Sequence, residues 1–144
     1  MRNCTIVNSG LSSTNQYCSS WSALNIASGA TVQNVVIAGV TNTVDGAKCR
    51  PTGTYKNFKN GALDSPIEGT NFLSNTVVGA ATDFFKDYAG GDYTPTTGGP
   101  LVNKGVNYEG MAAVDLAGER RLIGAKVDIG CYEGNIAGTF IRLR

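Results

Sequence analysis

The chain contains no histidine, and with it go Ser-His-Asp and Cys-His nucleophilic catalysis. An ordinary zinc site is not expected either, because no Cys-x-x-Cys pair replaces the missing imidazoles. Charge is sparse: 16% of residues are charged and the net charge is +1. There is neither a basic footprint for nucleic acid nor an acidic tail. No apolar run is long enough to span a bilayer, and the N-terminus has no signal-peptide core. The helix formers Glu, Lys and Leu are scarce beside 19 glycines, so short strands and turns should dominate. The length of 144 residues suits one domain with a modest core.

What is present is a repeat. Asn3-Cys4-Thr5-Ile6-Val7 and Asn34-Val35-Val36-Ile37-Ala38 share one plan, an asparagine followed by an alternating strand, at a separation of 31 positions. A fixed period of this size marks a solenoid, in which each coil buries its apolar face only by stacking on the next. Cys4 and Ile6 then point inward under Val35 and Ile37, while Thr5, Val7, Val36 and Ala38 face outward. Ala23 to Ile26 and Ala30 to Gln33 supply two more strands, giving three per coil, the cross-section of a right-handed parallel β-helix. A weaker third coil is expected where Lys59-Asn60-Gly61-Ala62 echoes Ala27-Ser28-Gly29-Ala30. Phe84, Phe85, Tyr88 and Tyr93 are expected to plug the open end of the last coil, and residues 94–110 to form irregular connection. The first coil has no cap of its own. Its open edge invites pairing with further coils or with another chain, and the chain therefore reads as the back end of something longer.

Near the end, Asp115 and Gly118 have the spacing of a tight turn, which two strands should flank. Arg120, Arg121 and Gly124 follow, and then Val127, Ile129 and Cys131 alternate with Asp128, Gly130 and Tyr132 as a strand with one buried face. With Gly91-Asp92-Tyr93 and the run Gly99 to Gly105, this stretch resembles the C-terminal end of bacterial right-handed parallel β-helix proteins of pectin-lyase-like fold. The group it resembles is the choice-of-anchor Q surface proteins. Their ends read as a G-D-Y/F strand, G-S-P-A-I-x-x-G, a D-x-x-G-x-x-R turn and V-D-I-G-A-Y-E. Cys131 stands where that pattern has Ala, and residues 135–144 run on past it. The resemblance implies an extracellular or cell-surface location. It also raises polysaccharide lyase chemistry, in which acidic side chains hold calcium or the substrate carboxylate is otherwise neutralised, and Lys or Arg removes the adjacent proton.

Four cysteines allow three full pairings. Cys18 and Cys49 are again 31 apart, which places them at equivalent points of stacked coils, within disulfide reach; the other reading leaves all four reduced. Cys4 and Cys131 read as small inward residues.

Candidate sites are few. Asp83, Asp87 and Asp92 surround Tyr88 and offer oxygen ligands for calcium, although their spacing matches no calcium loop and such residues commonly form turns. Tyr17, Trp21 and Tyr55 present aromatic faces for sugar rings or, equally, pack their loops against the coils. Asp115, Gly118, Arg120, Arg121, Asp128 and Tyr132 are expected to build the cap, with the arginines pairing to Asp115, Glu119 or Asp128 rather than acting in catalysis. The resulting expectation is an all-β fold: residues 1–82 as about three β-helix coils, with coils missing before them, and residues 83–144 as an irregular C-terminal cap of the same domain. The expected role is a non-catalytic secreted or surface module contacting a glycan or a protein, without nucleic acid or a membrane span. The alternative is the C-terminal part of a polysaccharide lyase or glycoside hydrolase whose active site lies outside this chain.

Overall fold

The computed structural model describes residues 1–7, 10–11, 22–42, 50–53, 58–64 and 75–134. Among them strands dominate. These are β1 (Arg2–Val7), β2 (Gly10–Leu11), β3 (Ser22–Ile26), β4 (Val32–Ala38), β5 (Thr41–Asn42), β6 (Arg50–Gly53), β7 (Phe58–Lys59), β8 (Ala62–Leu63), β9 (Val77–Val78), β10 (Phe85–Asp87) and β11 (Asp92–Pro95). One helical turn, α1 (Ala81–Phe84), interrupts them.

Pairing is mostly parallel. The main sheet runs β1-β4-β8-β9, with β7 also on β4; β2 pairs β5 and β3 pairs β6 as separate parallel ribbons. The β1–β4 register sets Cys4 against Val35 and Ile6 against Ile37, as the 31-residue repeat predicts. The third copy lies elsewhere than expected. Ala62 pairs Val36 and Val77 pairs Ala62, so Asn60 falls on Asn34, and the echo of Ala27 to Ala30 is not the structural alignment. Asparagine, not glycine, marks the repeat.

The reason lies in the backbone. Asn3, Asn34, Asn60 and Asn75 all have positive φ, between 49° and 61°, a left-handed conformation that asparagine tolerates better than most residues. Such a residue resets strand alternation. Val32, Val35 and Ile37 therefore share one apolar cluster with Ile26, Val40, Phe58 and Leu63, and Cys4, Ile6 and Leu24 pack against it. Close stacking of these turns leaves little room beside Asn60. A Cβ on Gly61 would lie 2.2 Å from the Phe58 ring and 2.8 Å from the Val35 carbonyl oxygen.

The opposite face of the main sheet is not open to water. Val36 and Ala38 are fully buried in a second cluster with Ala62, Phe84, Phe85, Leu101 and Ile129, against which Val7, Val77, Tyr88 and Tyr93 pack. The aromatics do form a plug, with Phe85 and Tyr93 ring centroids 5.4 Å apart, but it covers the outward flank of the sheet. Residues expected to face solvent are buried because this flank is as apolar as the inward one. It must be covered to remove that area from water.

Phe85 to Pro95 forms an antiparallel β10–β11 hairpin. Beyond it, residues 96–134 contain no strand, only turns and one isolated bridge between Val114 and Arg120. The two strands expected around the Asp115 turn thus reduce to a single bridge. The turn itself is as its spacing predicts: Gly118 N–H donates to the Asp115 carbonyl at 3.1 Å and Gly118 has φ 84°.

Candidate functional site

Residues 127–131 show why this segment lies against the sheet without becoming a strand of it. Their five N–H groups go to five different places. Val127 donates to Asn107 Oδ1 (2.9 Å), Asp128 to the Glu133 carboxylate (3.2 Å) and Ile129 to the Leu101 carbonyl (3.1 Å). Gly130 donates to the Asn34 carbonyl (3.0 Å) and Cys131 to Thr5 Oγ1 (3.2 Å). Every donor is satisfied, as buried backbone requires, but no ladder forms. The sequence alternation of Val127, Ile129 and Cys131 is accordingly not one-sided, since Asp128 is buried as deeply as its neighbours.

Against this segment sits Arg121, 2% exposed. Its Nε lies 3.2 Å from Glu133 Oε1 and its Nη2 donates to the Gly130 carbonyl at 2.5 Å. The expected partners were Asp115, Glu119 or Asp128; Glu133 takes the pair instead. Asp128 is committed to backbone, accepting from Asn103 N (2.7 Å) and Gly134 N (2.6 Å). Asp115 accepts from Ala117 and Glu119 N–H through Oδ1 and from Glu133 N–H through Oδ2, each at 2.9 Å. Glu133 and Asp128 thus both feel the one guanidinium, and Asp115 adds a third carboxylate beside Glu133. Burial, helped by the neighbouring Asp128 carboxylate, pushes Glu133 up to about 7, outweighing the pull of Arg121. Asp128 is also raised by burial, against the N–H groups of Asn103 and Gly134 and the Arg121 charge. Arg120 is exposed, and Tyr132 is half-buried beside Lys86, Thr94 and Ile123.

Of the three aspartates proposed for calcium, Asp87 and Asp92 are spent on their own turns. Asp87 Oδ1 accepts from Gly90 N (2.8 Å) and Asp92 Oδ1 from Thr94 N (3.0 Å), while Asp83 stands exposed on α1. Hydrogen bonds from the Thr94 side chain and backbone hold Asp92 below the ordinary carboxylate range. Asp87 and Asp92 are cross-strand partners; among the described residues no group of three His, Cys, Asp or Glu side chains gathers as a metal cage. Tyr17, Trp21 and Tyr55, with Cys18 and Cys49, lie outside the described residues. Cys4 and Cys131 are free, half-buried thiols.

Sequence reasoning named Asn3 and Asn34 only as the residue that opens each copy of the repeat, yet they form a side-chain ladder. Asn34 Nδ2 donates to Asn3 Oδ1 and to the Val106 carbonyl, and Asn34 Oδ1 accepts from Val106 N, all at 2.9 Å. Asn75 Nδ2 donates to Asn60 Oδ1 at 3.2 Å. At the β1 edge Asn3 Nδ2 meets the Tyr108 hydroxyl at 2.8 Å, and the Arg2 guanidinium lies over the Tyr108 ring, 4.4 Å from its centroid. Arg2, Asn3 and Tyr108 line a groove of about 520 Å³ together with Val114, Leu116 and Cys131. The ladder was detectable in advance, as an asparagine two positions before each of Thr5, Val36, Ala62 and Val77. Tyr108 carries no comparable sequence signal.

No family model, curated protein or solved structure matches the chain.

Proposed function

We propose that the chain is part of a right-handed parallel β-helix, in which β1, β4, β8 and β9 are successive rungs of one face, and that it acts as a non-catalytic secreted or cell-surface module. The observation that carries the reading is the covered flank of the main sheet. A β-helix enzyme acting on a polysaccharide needs basic and acidic groups on an exposed face of successive rungs. Here that flank bears Thr5, Val36, Ala38 and Ala62 and lies beneath Phe84, Phe85, Leu101 and Ile129, which leaves no room for a substrate. Contact with a glycan or a protein then falls to the loops, where Tyr17, Trp21 and Tyr55 supply aromatic faces. The resemblance of the chain's end to choice-of-anchor Q proteins supports the extracellular setting. Calcium at Asp83, Asp87 and Asp92 and a Cys18–Cys49 disulfide belong to the same proposal.

Trp21→Ala separates the readings. The module reading expects weaker retention on a polysaccharide affinity gel with an unchanged melting temperature. Equal losses of both would make Trp21 a packing residue, and bond-cleaving activity of the 144-residue chain on an acidic polysaccharide would overturn the non-catalytic assignment.

A further inference from the structure

Successive rungs of the asparagine ladder meet every second residue of the segment that crosses it: Asn3 meets Tyr108 and Asn34 meets Val106. The next rung, Asn60, falls to Lys104. At Asn34 the segment closes on the ladder, because the Val106 N–H and carbonyl engage both ends of the side-chain amide at 2.9 Å. At Asn60 it stands off. Asn60 Oδ1 accepts from Asn75 Nδ2, but among the described residues its own amide hydrogens have no acceptor, and a pocket of about 390 Å³ opens between Asn60 and Lys104. Asn75, Thr76, Asn103 and Lys126 share its lining, which carries two lysines and no carboxylate among the described residues. Asn103 is held in place. Its Oδ1 accepts from Lys126 N–H at 3.3 Å, its backbone is left-handed with φ 56°, and a Cβ on Gly124 would strike its side chain. The Thr76 hydroxyl beside it is buried without a partner. Both lysines are exposed, so the pocket is reached from solvent.

We infer that this pocket binds a sugar acid. The Lys104 and Lys126 side chains take its carboxylate as charge-assisted hydrogen bonds. The asparagine amides, each able to donate and to accept, take its ring hydroxyls. A volume in the range of small-molecule pockets holds more than a bare oxyanion, and a wall of amides without a carboxylate suits a hydroxylated anion better than a cation or an apolar ligand. The inference deepens the glycan reading and rests on it for the choice of a sugar. It uses a different site, since Tyr17, Trp21 and Tyr55 belong to other segments. Trp21→Ala can therefore leave polysaccharide retention unchanged while the pocket still binds a sugar acid, and the pocket can fail while Trp21 still matters.

The probe is glucuronate, titrated into the protein by calorimetry, with glucose and inorganic sulfate as controls. Saturable glucuronate binding is expected, weakening as salt is raised. Glucose and sulfate should each bind about tenfold more weakly, because each offers only one half of the contacts. Lys104→Gln combined with Lys126→Gln, changes at two exposed side chains, should weaken glucuronate binding about tenfold without lowering the melting temperature. A tetrasaccharide of alternating glucuronate and N-acetylglucosamine separates the two sources of the ligand: tighter binding than that of the free acid assigns the pocket to a polymer, and binding no tighter assigns it to a free sugar acid. No saturable binding of either, sulfate binding equal to that of glucuronate, or binding indifferent to the loss of both lysines would overturn the inference.

Discussion

Glu133 and Asn34 are the two side chains whose removal tests most. Glu133 is held up to about 7 by burial and by Asp128, against an unfolded value near 4.5. The folded state therefore keeps a proton that the unfolded chain has already released. Stability should be fullest below about pH 4.5 and fall as pH rises through 7. Glu133→Gln should flatten that decline in melting temperature between pH 5 and pH 8, while the raised Asp128 contributes any residual slope. An unchanged slope would mean that Glu133 is ionised throughout. Asn34 combines a left-handed backbone with three buried side-chain hydrogen bonds. Asn34→Gly keeps the backbone and strands the Val106 N–H, which should cost about 2 to 3 kcal/mol. Asn34→Ala should cost about 1 kcal/mol more, because Ala resists positive φ. Urea denaturation of both variants separates backbone from side chain: equal losses would mean that the turn is unstrained for Ala.

Among the elements, the strands were legible and the segment covering them was not. The 31-residue offset set Cys4 opposite Val35 and Ile6 opposite Ile37, because positions on one face of two parallel strands repeat at the offset of their pairing. Which flank Phe84 and Phe85 would cover had no such signal: their partners Val36, Ala38 and Ala62 are ordinary small apolar residues, with nothing local to mark them as a docking face. The Arg121 partner was missed for a related reason. Asp115 and Asp128 are closer in sequence to Arg121 than Glu133 is, and the choice depends on which carboxylates the backbone N–H groups have already engaged. Gly130 is where the segment touches the sheet most closely. It has φ 117°, and a Cβ there would lie 2.9 Å from Thr5 Oγ1 and 3.3 Å from Val36. Gly130→Ala should therefore lower stability by more than about 1 kcal/mol, read as a lower urea midpoint. A neutral result would mean that residues 127–131 can lift from β1 without loss.

At the scale of the molecule, one sheet carries an apolar cluster on each flank, and β4 contributes to both. The two should not melt separately. Phe84→Ala, in the outward cluster, should cost about 3 to 5 kcal/mol and shift two signals together, the far-UV signal of the strands and the near-UV signal of Tyr88 and Tyr93. Two midpoints, with the tyrosine signal lost first, would show that the C-terminal segment folds as an independent unit on a preformed sheet.

The contacts that seat that segment join residues far apart in the chain: Asn3 to Tyr108, Asn34 to Val106, and Thr5 to Cys131, the last across 126 positions. Closing such spans before any reward is slow. During synthesis β1 and β4 leave the ribosome while their apolar outward flank still lacks its cover, and they wait until the chain has been made through Cys131. For that interval Val36 and Ala38 are as exposed as any aggregation-prone edge. The order of translation, and not the finished stability alone, then bears on how much of the protein reaches its native state.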